Sequence, residues 1–192
     1  MVNVNDFYIL VCLDFLRAFG AVKAEGKIRI KMKRILIFGN SGSGKSTLAR
    51  HLADKDSLEH LDLDTIAWLP EIPPQRMLLS DSRIKINDFL SQNKDWVVEG
   101  CYSDLLELLK NKATEIIFLN LSIEQCIANA KNRPWEPHKY QTKEEQEGNL
   151  SMLIDWVAKY KERRDTFSFS AHQDFYDSFE GKKVMYTENI KY

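Results

Sequence analysis

The run Gly39-Asn40-Ser41-Gly42-Ser43-Gly44-Lys45-Ser46 constrains this chain more than any other feature. It fits G-x-x-x-x-G-K-[ST], a loop that wraps phosphate. The apolar run 34–38 leads into it, and a helix-compatible run, 47–53, leads out. That strand–loop–helix setting lets successive backbone N–H groups turn toward one anion. The positive end of the following helix points at the same place. In such a loop Lys45 reaches the outer phosphates and the Ser46 hydroxyl sits on Mg²⁺. Residues 39–47, Thr47 included, are therefore the candidate nucleotide-binding segment.

Length and composition bound the rest. The 192 residues suit one domain with a substantial core, and 44% apolar with 29% charged residues reads as globular. A formal charge of −1 argues against a bulk electrostatic partnership with nucleic acid. Cys12, Cys101 and Cys126 are far apart and form no C-x-x-C pair, so idle thiols in a reducing cytoplasm are expected. The apolar stretch 7–22 is interrupted by Asp14 and Arg17 and is too short for a bilayer span. It also lacks the layout of a secretory signal. Residues 1–31 are read as an N-terminal extension, either a packed native helix or sequence upstream of the natural start near Met32.

Along the chain, strand-like runs at 33–38, 58–62, 95–99, 115–121 and 183–187 alternate with helical patterns. The helices are expected up to Ala53, over 82–92 and 102–112, from a Ser122/Gln125 capping box to Asn132, and over 149–166. This alternation predicts an α/β fold, a three-layer arrangement with helices around a central, mostly parallel five-stranded sheet. The run 115–121 is the most apolar and is expected to be central.

Two common NTPase classes lack support. There is no N-K-x-D base-reading motif and no L-S-G-G-Q signature. What remains resembles the small-molecule and nucleotide kinases of the adenylate kinase and shikimate kinase group, over Met32 to about Tyr192. The resemblance rests on the P-loop at the first strand, Leu61-Asp62-Leu63-Asp64 after the second, the Glu99-Gly100 turn after the third, and the charged segment opening Asn132-Arg133-Pro134. Within the group it is most similar to adenylate-kinase-like proteins labelled DNA topology modulation proteins. The segments concerned are Asp64–Trp68, Trp96–Ser103, and Trp156–Tyr160 followed by Arg163-Arg164.

The resemblance implies a P-loop NTPase fold with a small lid at about 133–148, ATP with Mg²⁺, and transfer to a small-molecule or nucleotide acceptor. It implies Asp62 near the metal's water shell, Asp64 facing the acceptor, and Arg133 swinging over the transferred phosphate. Asp62 and Asp64 would alternate across a strand end; alternatively, Asp64 with Thr65 caps a turn. Glu99 fits a hydrophobic–acid pattern and would order the metal's water, bind acceptor, or lie at the surface. Gly100 would admit the acceptor or turn the chain. Arg163 and Arg164 are candidates for a second clamp, or for a helix end that offsets the dipole. Trp68 and Trp135, in irregular segments, are candidate pocket walls, while Trp96 and Trp156 are expected in the core. Beyond the last strand only 188–192 remain to hold a base, which implies loose base selectivity or a truncated chain. A different reading is a nucleotide-binding regulator with little transfer, acting through protein or DNA partners. The acceptor's identity and the oligomeric state are not encoded in any of these motifs.

Overall fold

The computed structural model describes residues 32–71, 73–136 and 141–191. Expectations for 1–31, and for the part of the lid at 137–140, lie outside the described residues. Five strands form one sheet among them: β1 (Arg34–Gly39), β2 (Glu59–Asp62), β3 (Trp96–Gly100), β4 (Glu115–Leu119) and β5 (Lys182–Tyr186), in the order β2-β3-β1-β4-β5. Every pairing is parallel. Parallel neighbours need crossovers, and helices supply them.

Strand alternation builds the layers. Leu36, Phe38, Trp96, Val98, Ile116 and Phe118 face one side. There they meet α2 (Asp64–Ala67), α3 (Leu79–Gln92), α4 (Ser103–Leu109) and α8 (Phe169–Asp177) through Ile66, Ile86, Leu105 and Phe175. Ile35, Ile37, Val97, Ile117 and Leu119 face the other side. They meet α1 (Lys45–Asp56), α5 (Ile123–Asn132) and α7 (Leu150–Ala158) through Leu48, Cys126 and Val157. The remaining helix, α6 (Lys143–Gly148), lies in the charged segment where a lid is expected. With both faces covered, strands read as continuous apolar runs, which is why β1 and β4 looked so uniform in sequence.

Two expectations are corrected, and one element is new. The middle of the sheet is β1; β4 is interior, between β1 and β5. The helix expected over 149–166 stops at Ala158 and passes through a tighter turn at Lys159–Lys161. A separate helix, α8, follows, capped by the Ser168 hydroxyl accepting from the Ala171 N–H.

Register gathers the functional segments at one edge. Asp62 is level with Glu99, Ile37 with Glu99, Phe38 with Gly100 and Gly39 with Leu119. The carboxyl ends of β2, β3, β1 and β4 thus form one rim. The chain moves to opposite sides of β1 to make β3 and β4, so the P-loop stands at the switch point where open α/β sheets bind ligands.

Candidate active site

The P-loop conformation depends on two close approaches. Gly39 has φ 144°, and a Cβ there would lie 2.4 Å from the Leu119 carbonyl oxygen. Gly42 has φ 76°, and its Cβ would lie 2.3 Å from the Cys126 carbonyl oxygen. Neither position admits a side chain without moving backbone. Ser43 N–H closes the turn onto the Asn40 carbonyl at 3.2 Å. Asn40 is buried; its side chain donates to the Val157 carbonyl at 3.1 Å and accepts from Ser41 N–H at 2.9 Å. Helix α1 starts at Lys45 with no side-chain cap and no acid in its first turn. Its leading N–H groups and dipole are therefore available to an anion.

A cavity of about 740 Å³ opens above this loop. Residues 41–47 and Arg50 form its floor. Asp64, Glu99, Gly100 and Cys101 form one wall, and Arg133, Pro134, Trp135 and Glu136 another. The tail residues Glu188, Asn189 and Ile190 complete it. The short tail is stitched in place: Asn129 donates to the Gly42 carbonyl at 2.9 Å and to Asn189 at 2.8 Å, and Asn189 donates back at 3.1 Å.

Glu99 is the buried charge of the site. It is 2% exposed, and its Oε1 has no hydrogen-bond partner among the described residues. Burial, with Asp62 and then Asp64 nearby, pushes its carboxyl up to about 7, against the pull of Lys45 and a hydrogen bond from Ser46. A carboxylate beside the Ser46 hydroxyl suits a hydrated Mg²⁺, which is held by one or two carboxylates and phosphate oxygens rather than by a protein cage. No cluster of three or more His, Cys, Asp or Glu able to hold a metal exists among the described residues.

The two aspartates are not alternating strand residues. β2 ends at Asp62 and α2 begins at Asp64. Asp62 makes the turn that leads into α2: its Oδ1 accepts from Asp64 N–H at 2.9 Å, and its carbonyl accepts from the Thr65 hydroxyl at 2.7 Å. Asp64 lines the cavity and Asp62 does not. Gly100 also has a packing reason, since a Cβ there would meet the Leu63 Cβ at 2.8 Å.

Other expected residues are placed elsewhere. Trp68 does not line the cavity; its indole donates to the Tyr102 hydroxyl at 2.7 Å. Arg163 and Arg164 do not line it either. Arg164 donates to the carbonyls of Lys161, Glu162 and Arg163, closing a helix end. Arg163 stacks 3.6 Å above the Trp156 ring and donates to the Phe167 carbonyl at 3.1 Å. Trp156, expected in the core, is instead an exposed platform for that guanidinium, whereas Trp96 is fully buried as expected. Trp135 lies on the cavity wall. Arg133 pairs with Glu136 at 3.0 Å, and Gln146 grips the same segment by donating to the Pro134 carbonyl and accepting from Glu136 N–H.

Sequence reasoning gave no role to Tyr102, Arg76 or His172. Arg76 is 4.7 Å above the Tyr102 ring and pairs with Asp104 at 2.9 Å. It sits in a proline-broken stretch with no periodicity to flag it. His172 is buried against the rings of Phe38, Phe118 and Tyr160, bridging the Tyr160 hydroxyl at 2.6 Å and the Cys101 carbonyl at 2.9 Å. The carbonyl only accepts, so Nε2 carries the proton and Nδ1 accepts from Tyr160. Burial holds its pKa down to about 4.

A protein-family model described as an AAA domain matches residues 35–149, more than half of the chain. A shikimate kinase of Aliivibrio fischeri is 26% identical over 145 residues, covering 69% of this chain and 84% of that protein. The uncharacterized protein YqaC of Bacillus subtilis is 27% identical over 104 residues, 54% of this chain and 58% of its own length. Among solved structures, the shikimate kinase from Acinetobacter baumannii in complex with shikimate aligns with a TM-score of 0.47 at 18% identity, over 84% of this chain and 86% of that one. No described helix is long and apolar enough to cross a membrane.

Proposed function

We propose, for a chain that belongs to the AAA domain family of P-loop proteins, that it is an ATP-dependent kinase of the adenylate/shikimate kinase type, passing the γ-phosphoryl group to a small-molecule or nucleotide acceptor. One observation carries this reading. The uncapped start of α1 and Lys45 form one side of the same cavity that holds the carboxylates of Asp64 and Glu99 on another and Arg133 at a third. Phosphoryl transfer needs positioning and charge neutralisation more than covalent chemistry. Residues 39–47 would cradle the phosphates, Lys45 would neutralise the outer ones, and Arg133 would add a second cation from the lid at about 133–148. Ser46, with Glu99 behind it, would hold Mg²⁺, which supplies charge neutralisation at the phosphates.

Asp64 would accept the proton of the attacking hydroxyl. Gly100 and Cys101 would floor the acceptor subsite. The 26% identical shikimate kinase supports kinase chemistry in general; the acceptor, the preference for ATP over GTP, kinship with the DNA topology modulation group and a cytoplasmic site of action are our extension.

The test is ADP release from Mg–ATP across a panel of hydroxy acids, polyols and nucleoside monophosphates. Acceptor-dependent release that disappears in Lys45→Met is expected. Release that stays at the wild-type level in Lys45→Met would overturn the assignment. ATP binding with no acceptor-dependent release would favour the regulator reading instead.

A further inference from the structure

Asp64 is held by a directed chain of hydrogen bonds that begins outside the cavity. Trp68 Nε1–H donates to Tyr102 Oη at 2.7 Å, and the Tyr102 hydroxyl donates to Asp64 Oδ1 at 2.6 Å. An indole nitrogen can only donate, so the direction is fixed and the phenol proton is committed to the carboxylate. A bond of this length from a hydroxyl to a carboxylate belongs to the charge-assisted class. Asp64 lines the cavity, whereas neither Trp68 nor Tyr102 does.

The phenol is itself held from several sides. Tyr102 is 3% exposed, with its ring edge-on to Phe167 at 5.2 Å and to Trp68 at 6.5 Å. Arg76 covers it and is anchored on Asp104. Trp68 stands at the neck of the strap that leaves α2. It bridges Arg76 in antiparallel fashion, and the pairs Leu69 N–H to Gln75 carbonyl and Met77 N–H to Ala67 carbonyl close the neck at 2.9 Å each. The order of the strap thus reaches the Asp64 carboxylate through two hydrogen bonds.

We propose that Tyr102, backed by Trp68, is the positioning residue for Asp64: it fixes the orientation of the carboxylate that faces the acceptor hydroxyl. This rests on the role given to Asp64 above. An aspartate side chain turns about a broad, nearly two-fold torsion. Glu99 is near enough to couple electrostatically to Asp64, so a carboxylate held by a fixed donor keeps an alignment that its neighbour would otherwise disturb. Small misalignments of a reacting group are expensive in rate. The phenol removes that freedom while leaving the donor side of the cavity untouched.

The experiment reads the chain and the chemistry separately. In the full-length ¹⁵N-labelled protein, the Trp68 indole signal is identified by its loss in Trp68→Phe. Tyr102→Phe keeps the ring and removes only the acceptor oxygen, so that signal should move upfield. Asp64→Asn should move it too, through the Tyr102 hydroxyl that both groups share. An unmoved indole signal in Tyr102→Phe overturns the chain. The rate readout is ADP release from Mg–ATP with shikimate, gluconate and adenosine monophosphate as probes. Tyr102→Phe should lower the maximal rate about tenfold with KM for Mg–ATP nearly unchanged, and Trp68→Phe should lower it less. A wild-type rate in Tyr102→Phe, with Asp64→Asn inactive, overturns the positioning role and leaves the Asp64 reading standing. A wild-type rate in Asp64→Asn overturns the Asp64 reading itself, whatever the indole signal does.

Discussion

Asn40 and Val157 are 117 residues apart in the chain, yet the Asn40 side-chain amide donates to the Val157 carbonyl at 3.1 Å in the buried core of the P-loop. Its other end accepts from Ser41 N–H, so one amide ties the phosphate loop to the last turn of α7. An aspartate would keep the acceptor but lose the donor; a leucine would lose both.

Asn40→Leu removes the bonds to the Val157 carbonyl and from the Ser41 N–H, and each such bond is worth about 0.5–1.5 kcal/mol net. We expect a loss of that size in urea unfolding. A parallel weakening of nucleotide binding is expected, because Ser41 N–H is one of the groups that line the cavity floor. Asn40→Asp should bind nucleotide more weakly still, since it sets a negative charge beneath the phosphates. Isothermal titration with ATP separates the two variants, and equal affinity in both would show that the tie carries no charge-sensitive load.

The pH dependence of stability should hold two opposed slopes. His172 is neutral in the fold, its pKa held down to about 4 by burial. Between that value and 6.5 the unfolded chain binds the extra proton, so this group makes stability rise with pH, by about 3 kcal/mol in total. Glu99 is pushed up to about 7 by burial first and by Asp62 next. Between 4.5 and that value the native state binds the extra proton, so this group makes stability fall as pH rises. In the wild type the two offset each other from about pH 4.5 to 6.5. Relative to wild type, His172→Gln should lose stability as pH rises through this window, and Glu99→Gln should gain it. Urea midpoints at pH 4.5, 5.5 and 6.5 check both. Curves parallel to wild type would show that neither group titrates as its burial dictates.

The P-loop, the alternation of strands and helices and the capped start of α5 were legible, because each leaves a pattern within a short window of sequence. The Ser122–Gln125 capping box forms with both reciprocal bonds, as its spacing indicated. What was not legible depends on long-range packing. The stop of α7 at Ala158 places Val157 under Asn40 and Tyr160 beside His172, and no local breaker marks it. Trp156 has helical spacing suited to a core, but Arg163 folds back over it, and an aromatic face serves a guanidinium as well as a leucine. Asp62 and Asp64 read as alternating residues of one strand end because nothing in the local sequence marks the change from strand to helix that falls between them.

Arg133 and Glu136 form an ion pair at 3.0 Å within the lid segment, with both side chains largely covered. If Arg133 is the lid cation, it must leave Glu136 to reach a phosphate, and that exchange opposes nucleotide binding. Partly exposed pairs of this kind are worth up to about 1 kcal/mol. Glu136→Gln removes the competitor and leaves the Gln146 grip on the segment's backbone in place. Affinity for Mg–ATP should then rise about fivefold, the factor that corresponds to such an energy, and the gain should shrink at high salt. Arg133→Ala should do the reverse, weakening Mg–ATP more than Mg–ADP, because the arginine is assigned to the terminal phosphate. Titrations of each variant with both nucleotides give the answer. Equal affinities for ATP and ADP in Arg133→Ala and in wild type would place the arginine outside the phosphate site and leave its pair with Glu136 as a fastening of the lid alone.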